Sequence, residues 1–207
     1  MIRSDETIML HDLGAGSHLN ESTARPVSDL ARHVATSSKD DQMLYRLVNR
    51  LQPEVSIELG TSIGIGTMYQ AIAVQNGTFH TIEGDPGVAK VAERNFTKSE
   101  ITCIVPHVGG FDERLPEVLD HIDRVDYGFV DGNHTYDATI RYFKYLCELA
   151  GPDTVLVFDD IRWSEEMLEA WTEIANDSRV TTSIDLFRKG IVSFGSEETK
   201  QYFCLRY

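Results

Sequence analysis

From Ser38 the chain alternates two hydrophobic rhythms. Met43, Leu44, Leu47, Val48 and Leu51 recur at helical spacing behind Ser38, an N-cap with Asp41 three residues on, until Pro53 stops the pattern. A short run with branched residues, Val55-Ser56-Ile57-Glu58-Leu59, then reads as a strand. It passes through Gly60, Gly64 and Gly66 into Met68, Ala71 and Ile72, a helix ending near Asn76-Gly77. Thr78 to Ile82 is a second strand, terminated by Glu83, and Asp85-Pro86 caps a helix whose buried face is Val88, Val91, Ala92 and Phe96. Ile101 to Val105 makes a third strand, followed by the turn Val108-Gly109-Gly110-Phe111-Asp112 and a helix around Leu115, Val118, Leu119 and Ile122.

The fourth strand, Val125 to Val130, ends in Asp131-Gly132-Asn133-His134 and leads to a helix with Ile140, Phe143, Leu146 and Ala150 inward. The fifth, Thr154-Val155-Leu156-Val157-Phe158, is a continuous apolar run of the buried parallel type and ends in Asp159-Asp160. A helix with Met167, Leu168, Trp171, Ile174 and Ala175 on one face follows, and Val180 to Phe187, Gly190 to Phe194 and Gln201 to Arg206 alternate as strands. Strand and helix alternating five times imply an α/β, Rossmann-like, doubly wound and mostly parallel sheet of seven strands, with helices on both faces and an antiparallel C-terminal hairpin. Residues 38–207 form this domain; residues 1–37 are an N-terminal extension. Within the extension, Ile8 to Leu13 and the turn Asp12 to Ser17 imitate a strand and glycine turn, but polar residues and Pro26 follow instead of an amphipathic helix. That turn is either a simple extension or a lid over the substrate pocket, and Val27 to Ala35 can form a short helix.

With 207 residues, 42% of them apolar, one packed core is expected. The lack of a long apolar run and of a basic-then-apolar leader points to a soluble, cytoplasmic protein with no membrane partner. Cys103, Cys147 and Cys204 are odd in number and far apart, which disfavours disulfides and zinc knuckles. A net charge of −14 with scattered Lys and Arg disfavours nucleic acid. Nothing in the composition decides oligomeric state, so a homodimer is left open.

Ligands of such sheets bind beyond the carboxyl ends of the strands. The acids are there: Glu58, Glu83, Asp131, Asp159 and Asp160. Carboxylates gathered on one edge repel unless they bind hydroxyls, an ammonium or a metal. Glu83 lies 19 residues beyond Gly64, where a Rossmann-like fold places the acceptor for ribose hydroxyls. The glycine order Gly60-x-x-x-Gly64-x-Gly66 departs from the dinucleotide G-x-G-x-x-G, and no Tyr-x-x-x-Lys set is present, which disfavours an NAD-binding oxidoreductase.

Glu58-Leu59-Gly60-x-x-x-Gly64, Glu83, Asp131-Gly132-Asn133-His134 and Asp159-Asp160 resemble class I S-adenosylmethionine (SAM)-dependent methyltransferases, and among them the metal-dependent catechol-type O-methyltransferases. The resemblance spans roughly residues 38 to 195. It implies SAM held by Glu58, Gly60, Thr61, Ser62, Gly64, Glu83 and Asp131, with Glu58 at the amino-acid end of the cofactor. It places Gly110, Phe111 and Asp112 against adenine, though Phe111 can equally be core packing and Asp112 a helix cap. It implies a divalent cation, Mg²⁺ or another, on Asp131, Asp159 and Asp160, a hard oxygen set unlike a zinc site. His134 stands at the general-base position, which is lysine in the catechol enzymes, and a metal-ligand or structural role is the alternative for it. With Asp131 it makes the catalytic pair. The expected activity is O-methylation of a small hydroxylated acceptor, against which stands a non-catalytic SAM-binding protein. Trp163 can stack on an aromatic acceptor or simply pack.

Overall fold

The computed structural model describes residues 7–9, 24–26, 38–195 and 199–206. The expected helix over 27–35 and the Asp12–Ser17 turn lie outside the described residues. In chain order the elements are β1 (Thr7–Met9), β2 (Ala24–Pro26), α1 (Ser38–Leu51), β3 (Val55–Leu59), α2 (Ile65–Ala71), β4 (Thr78–Glu83), α3 (Pro86–Ser99), β5 (Ile104–Val108), α4 (Phe111–Leu119), β6 (Val125–Val130), α5 (Tyr136–Glu148), β7 (Ala150–Phe158), α6 (Glu165–Asn176), β8 (Thr182–Asp185), β9 (Gly190–Ser193) and β10 (Gln201–Cys204). Eight strands belong to the main, mostly parallel sheet, where seven were expected. The chain divides into two compact units, residues 1–54 with 60–114 and residues 55–59 with 115–207.

In the first unit β1 and β2 pair antiparallel, and β4 and β5 pair parallel from Phe79↔Ile104 to Glu83↔Val108. Helix α1 buries Leu44 and Val48 completely. Helix α3 is capped as expected: Asp85 accepts from the amides of Gly87 at 2.6 Å and Val88 at 3.1 Å, Pro86 opens the helix, and Val88, Val91, Ala92 and Phe96 are buried. Two elements shift their bounds. Strand β5 runs to Val108 and begins at Ile104, three residues after the expected start. Pro106, which donates no ladder hydrogen bond, is tolerated because β5 is the last strand on its side of the sheet. Helix α2 stops at Ala71, well before Asn76-Gly77, because Ala73 and Val74 donate to the carbonyls of Gln70 and Ala71, tight i→i+3 bonds that close the helix early.

In the second unit the strand order is β10-β8-β9-β7-β6-β3. The parallel trio ends level, with Leu59 opposite Val130 and Val130 opposite Phe158. The ladder continues one step further: Asp131 N–H donates to Leu59 O at 2.8 Å and Asp159 N–H to Val130 O at 2.9 Å. The acids after β6 and β7 therefore leave the sheet side by side. On the other flank β9 pairs antiparallel with both β7 and β8, which is the expected hairpin, and β10 extends it parallel to β8.

Helices α5 and α6 bury Ile140, Phe143, Leu146, Met167, Trp171, Ile174 and Ala175, while two expected inward residues differ. Ala150 begins β7, pairing with Val125, and Leu168 is 41% exposed. The Trp171 ring packs against Gly190, where any Cβ would run into it. The first residue of β9 is glycine for that reason.

Candidate functional site

In the first unit the glycine turn folds over the end of β4. Gly60 and Thr61 both donate to Ile82 O, at 3.0 and 3.3 Å, and Gly64 donates to Thr61 O at 2.9 Å. Gly60, Ser62 and Gly64 all have positive φ, and at Gly64 a Cβ would sit 2.5 Å from Phe96 Cε1, so only glycine lets α3 pack here. Ser62 N–H donates to Glu83 Oε2 at 2.8 Å, and Asp85 N–H donates to Glu83 Oε1 at 3.0 Å. Each carboxylate oxygen retains a further acceptor position. Burial raises the Glu83 pKa above its ordinary value, outweighing the backbone amides of Asp85, Ser62 and Gly84, which act in the opposite sense.

The expected cofactor residues Gly60, Thr61, Ser62, Gly64 and Glu83 are thus brought together, with different tasks. Thr61 is buried and shares a 2.5 Å hydrogen bond with Thr81, which makes its side chain part of the turn's foundation. Gly109 N–H donates to Glu83 O at 2.9 Å, tying the next turn to the same strand end. Gly110 faces open space, Phe111 is half-buried and Asp112 is exposed at the start of α4.

In the second unit, Glu58 is 1% exposed in β3 and raises the pKa of buried Tyr127, second to burial itself. Asp131 is held well above the usual carboxylate range by burial first, then by the charge of Asp159, with Lys189 opposing and Asp160 and Glu58 adding. His134 Nε2 lies 3.7 Å from Asp131 Oδ1 and 4.0 Å from Asp160 Oδ2. Burial lowers the His134 pKa despite Asp160 and Asp159, so the imidazole is neutral near pH 7. The Trp163 ring, 53% exposed, stands 6.4 Å from that of His134.

Two residues escaped the sequence reading. Lys189 Nζ donates to Asp159 Oδ2 at 2.5 Å, both side chains being almost completely buried, and Arg188 Nη2 donates to Asp160 Oδ1 at 3.0 Å. The β7–β9 register explains both pairs. Phe158 faces Gly190, and continuing the antiparallel ladder sets Asp159 opposite Lys189 and Asp160 opposite Arg188. The available signal was charge order: two acids after one strand and two bases before the strand that returns antiparallel beside it.

A family model described as a methyltransferase domain matches residues 57–161, half of the chain. The chain belongs to the methyltransferase domain family. Its relatives include a catechol O-methyltransferase of Niastella koreensis, 28% identical over 131 residues, which cover 62% of this chain and 58% of the relative. An uncharacterized protein of Acanthamoeba polyphaga mimivirus is 27% identical over 149 residues, 65% of this chain and 66% of that protein. The matches thus span less than two thirds of these curated relatives.

Among solved structures, the O-methyltransferase from Bacillus cereus in complex with S-adenosylhomocysteine (SAH) superposes with a TM-score of 0.70 at 20% identity, over 81% of this chain and 86% of that one. TomG of Streptomyces achromogenes, an O-methyltransferase solved with SAM, gives 0.71 at 22% identity over 81% and 87%. These likenesses establish the Rossmann-like fold for the family member described here. No helix among the described residues is long and apolar enough to cross a membrane.

Proposed function

We propose that the chain is a SAM-dependent methyltransferase that methylates a hydroxyl of a small molecule. The observation that carries this reading is the half-buried His134, its Nε2 3.7 Å from Asp131 Oδ1 and 4.0 Å from Asp160 Oδ2, at the position where the family resemblance puts a general base. The catechol O-methyltransferase relative and the SAH- and SAM-bound structures support it.

The first-unit residues fit the nucleoside end of SAM. Glu83, pinned by two amides, keeps acceptor capacity for ribose hydroxyls, and the open space at Gly110 beside Phe111 and Asp112 suits the base. Glu58 and Asp131 are assigned to the amino-acid end. When bound, SAM supplies an electrophilic methyl group on sulfonium. The chain's own part is to orient the acceptor and to receive its hydroxyl proton at His134 Nε2, where the charges of Asp160 and Asp159 favour the imidazolium. Trp163 offers a flat apolar surface for the acceptor.

The divalent cation expected on Asp131, Asp159 and Asp160 does not fit this donor set. Asp159 and Asp160 are already paired with Lys189 and Arg188, and no group of three or more His, Cys, Asp or Glu among the described residues is disposed to share a metal ion. No step is assigned to a metal. The reading includes a cytoplasmic location, in keeping with the free thiols of Cys103, Cys147 and Cys204. It also includes a homodimer, for which the edge strand β10 offers exposed Tyr202 and Phe203.

The test is SAH release from SAM with a panel of catechols, phenols and aliphatic alcohols. Substituting His134→Ala should lower kcat by roughly 10²-fold or more while leaving SAM affinity intact. A variant with undiminished kcat on the accepted substrate would remove His134 from the mechanism.

A further inference from the structure

We propose that Lys189, assisted by Arg188, is the built-in counter-cation of the acidic strand ends, standing where a divalent metal is expected and making this site metal-independent. Lys189 is 2% exposed, an unusual state for lysine, and its ammonium is 2.5 Å from Asp159 Oδ2 and 5.9 Å from the centre of the Phe129 ring. The second oxygen of Asp159 accepts the amide of Asp160 at 2.8 Å. Both oxygens of the central acid are therefore engaged from within the chain.

A Mg²⁺ bound to Asp159 Oδ2 at about 2.1 Å would lie no more than about 4.6 Å from the ammonium, placing two cations in one desolvated space. Asp160 is engaged as well, by Arg188 at 3.0 Å. The antiparallel β7–β9 register delivers these cations to the acids at fixed positions, so the neutralisation belongs to the fold and needs no ion from solution. A buried ammonium does part of what a bound ion would do for the carboxylates: it pairs with Asp159 and opposes the repulsion between Asp159 and Asp131 from within the chain. Orientation of the acceptor then falls to His134 and Trp163.

The binding side of this inference is independent of the methyltransferase reading; only its activity side rests on it. The whole chain is titrated calorimetrically with MgCl₂, CaCl₂ and MnCl₂. Wild type should show no saturable site, whereas Lys189→Met, with Asp159 freed, should acquire one and gain thermal stability on adding the metal. Where an acceptor is turned over, EDTA should change the wild-type rate by less than about twofold.

Saturable wild-type binding that Asp160→Asn or Asp131→Asn abolishes would overturn the proposal, as would loss of wild-type turnover in EDTA that Mg²⁺ restores. If Lys189→Met does not fold, the wild-type titration still decides. If no acceptor is turned over, the methyltransferase reading suffers but the metal titration stands.

Discussion

Breaking the Lys189–Asp159 pair is the most informative perturbation of stability. Each partner is taken out of water, so their attraction at 2.5 Å is largely cancelled by the cost of desolvating two charges. Removing one partner leaves the other's desolvation cost without the attraction that offset it. Lys189→Met leaves a carboxylate 3% exposed without its counter-charge, and Asp159→Asn leaves the buried ammonium in the same position. Each single change is expected to destabilise by about 3–5 kcal/mol, roughly 10 °C or more in melting temperature for a chain of this size. The double variant restores neutrality and should lose clearly less than the two singles together, with a coupling of about 2 kcal/mol or more. Urea unfolding followed by the fluorescence of buried Trp171 at constant pH measures all four proteins. Singles costing less than about 1 kcal/mol each and adding without coupling would show that the pair is solvated, and the argument from burial would fail.

Glu83→Ala should weaken SAM binding by about 10- to 100-fold, the loss of one or two charged hydrogen bonds, as read by calorimetry. Unchanged affinity would free Glu83 from that role. Because burial raises the Glu83 pKa, its carboxylate is lost at higher pH than an ordinary glutamate, so wild-type affinity should begin to fall on acidification while still above the usual glutamate range, and Glu83→Gln should flatten that profile. In the tail, Arg162 grips Asp185 through two bonds at 2.8 and 2.6 Å and so lowers the Asp185 pKa. A depressed carboxyl pKa contributes stability above the unfolded value, about 3.9, and loses it as pH falls through the folded one. Arg162→Met should therefore destabilise at pH 7 and converge on wild type in strong acid. The gap is modest because Arg162 is 31% exposed, and a gap independent of pH would contradict the assignment.

Strand and helix existence was legible because each element carries a local signature. The Asp85-Pro86 cap and the run Thr154 to Phe158 state their elements in neighbouring residues, and the level ends of β3, β6 and β7 follow from the parallel topology they imply. Boundaries were less legible where a contact distant in sequence chose them. The start of β5 is set by its register with β4, and Ala150 is drawn into β7 by Val125.

The sequence by itself determined the alternating fold, the acids at the strand ends and the glycine turn, since all of these depend on composition and spacing within some ten residues, whereas His134 became a candidate base only through the family resemblance. Only the tertiary structure decided what the acids meet. Lys189 lies 30 residues from Asp159, and no local rule links them until β9 turns back antiparallel on β7 and brings base and acid into register. A carboxylate's chemistry depends on the charge a few ångströms away, and chain folding, not spacing along the sequence, sets that distance.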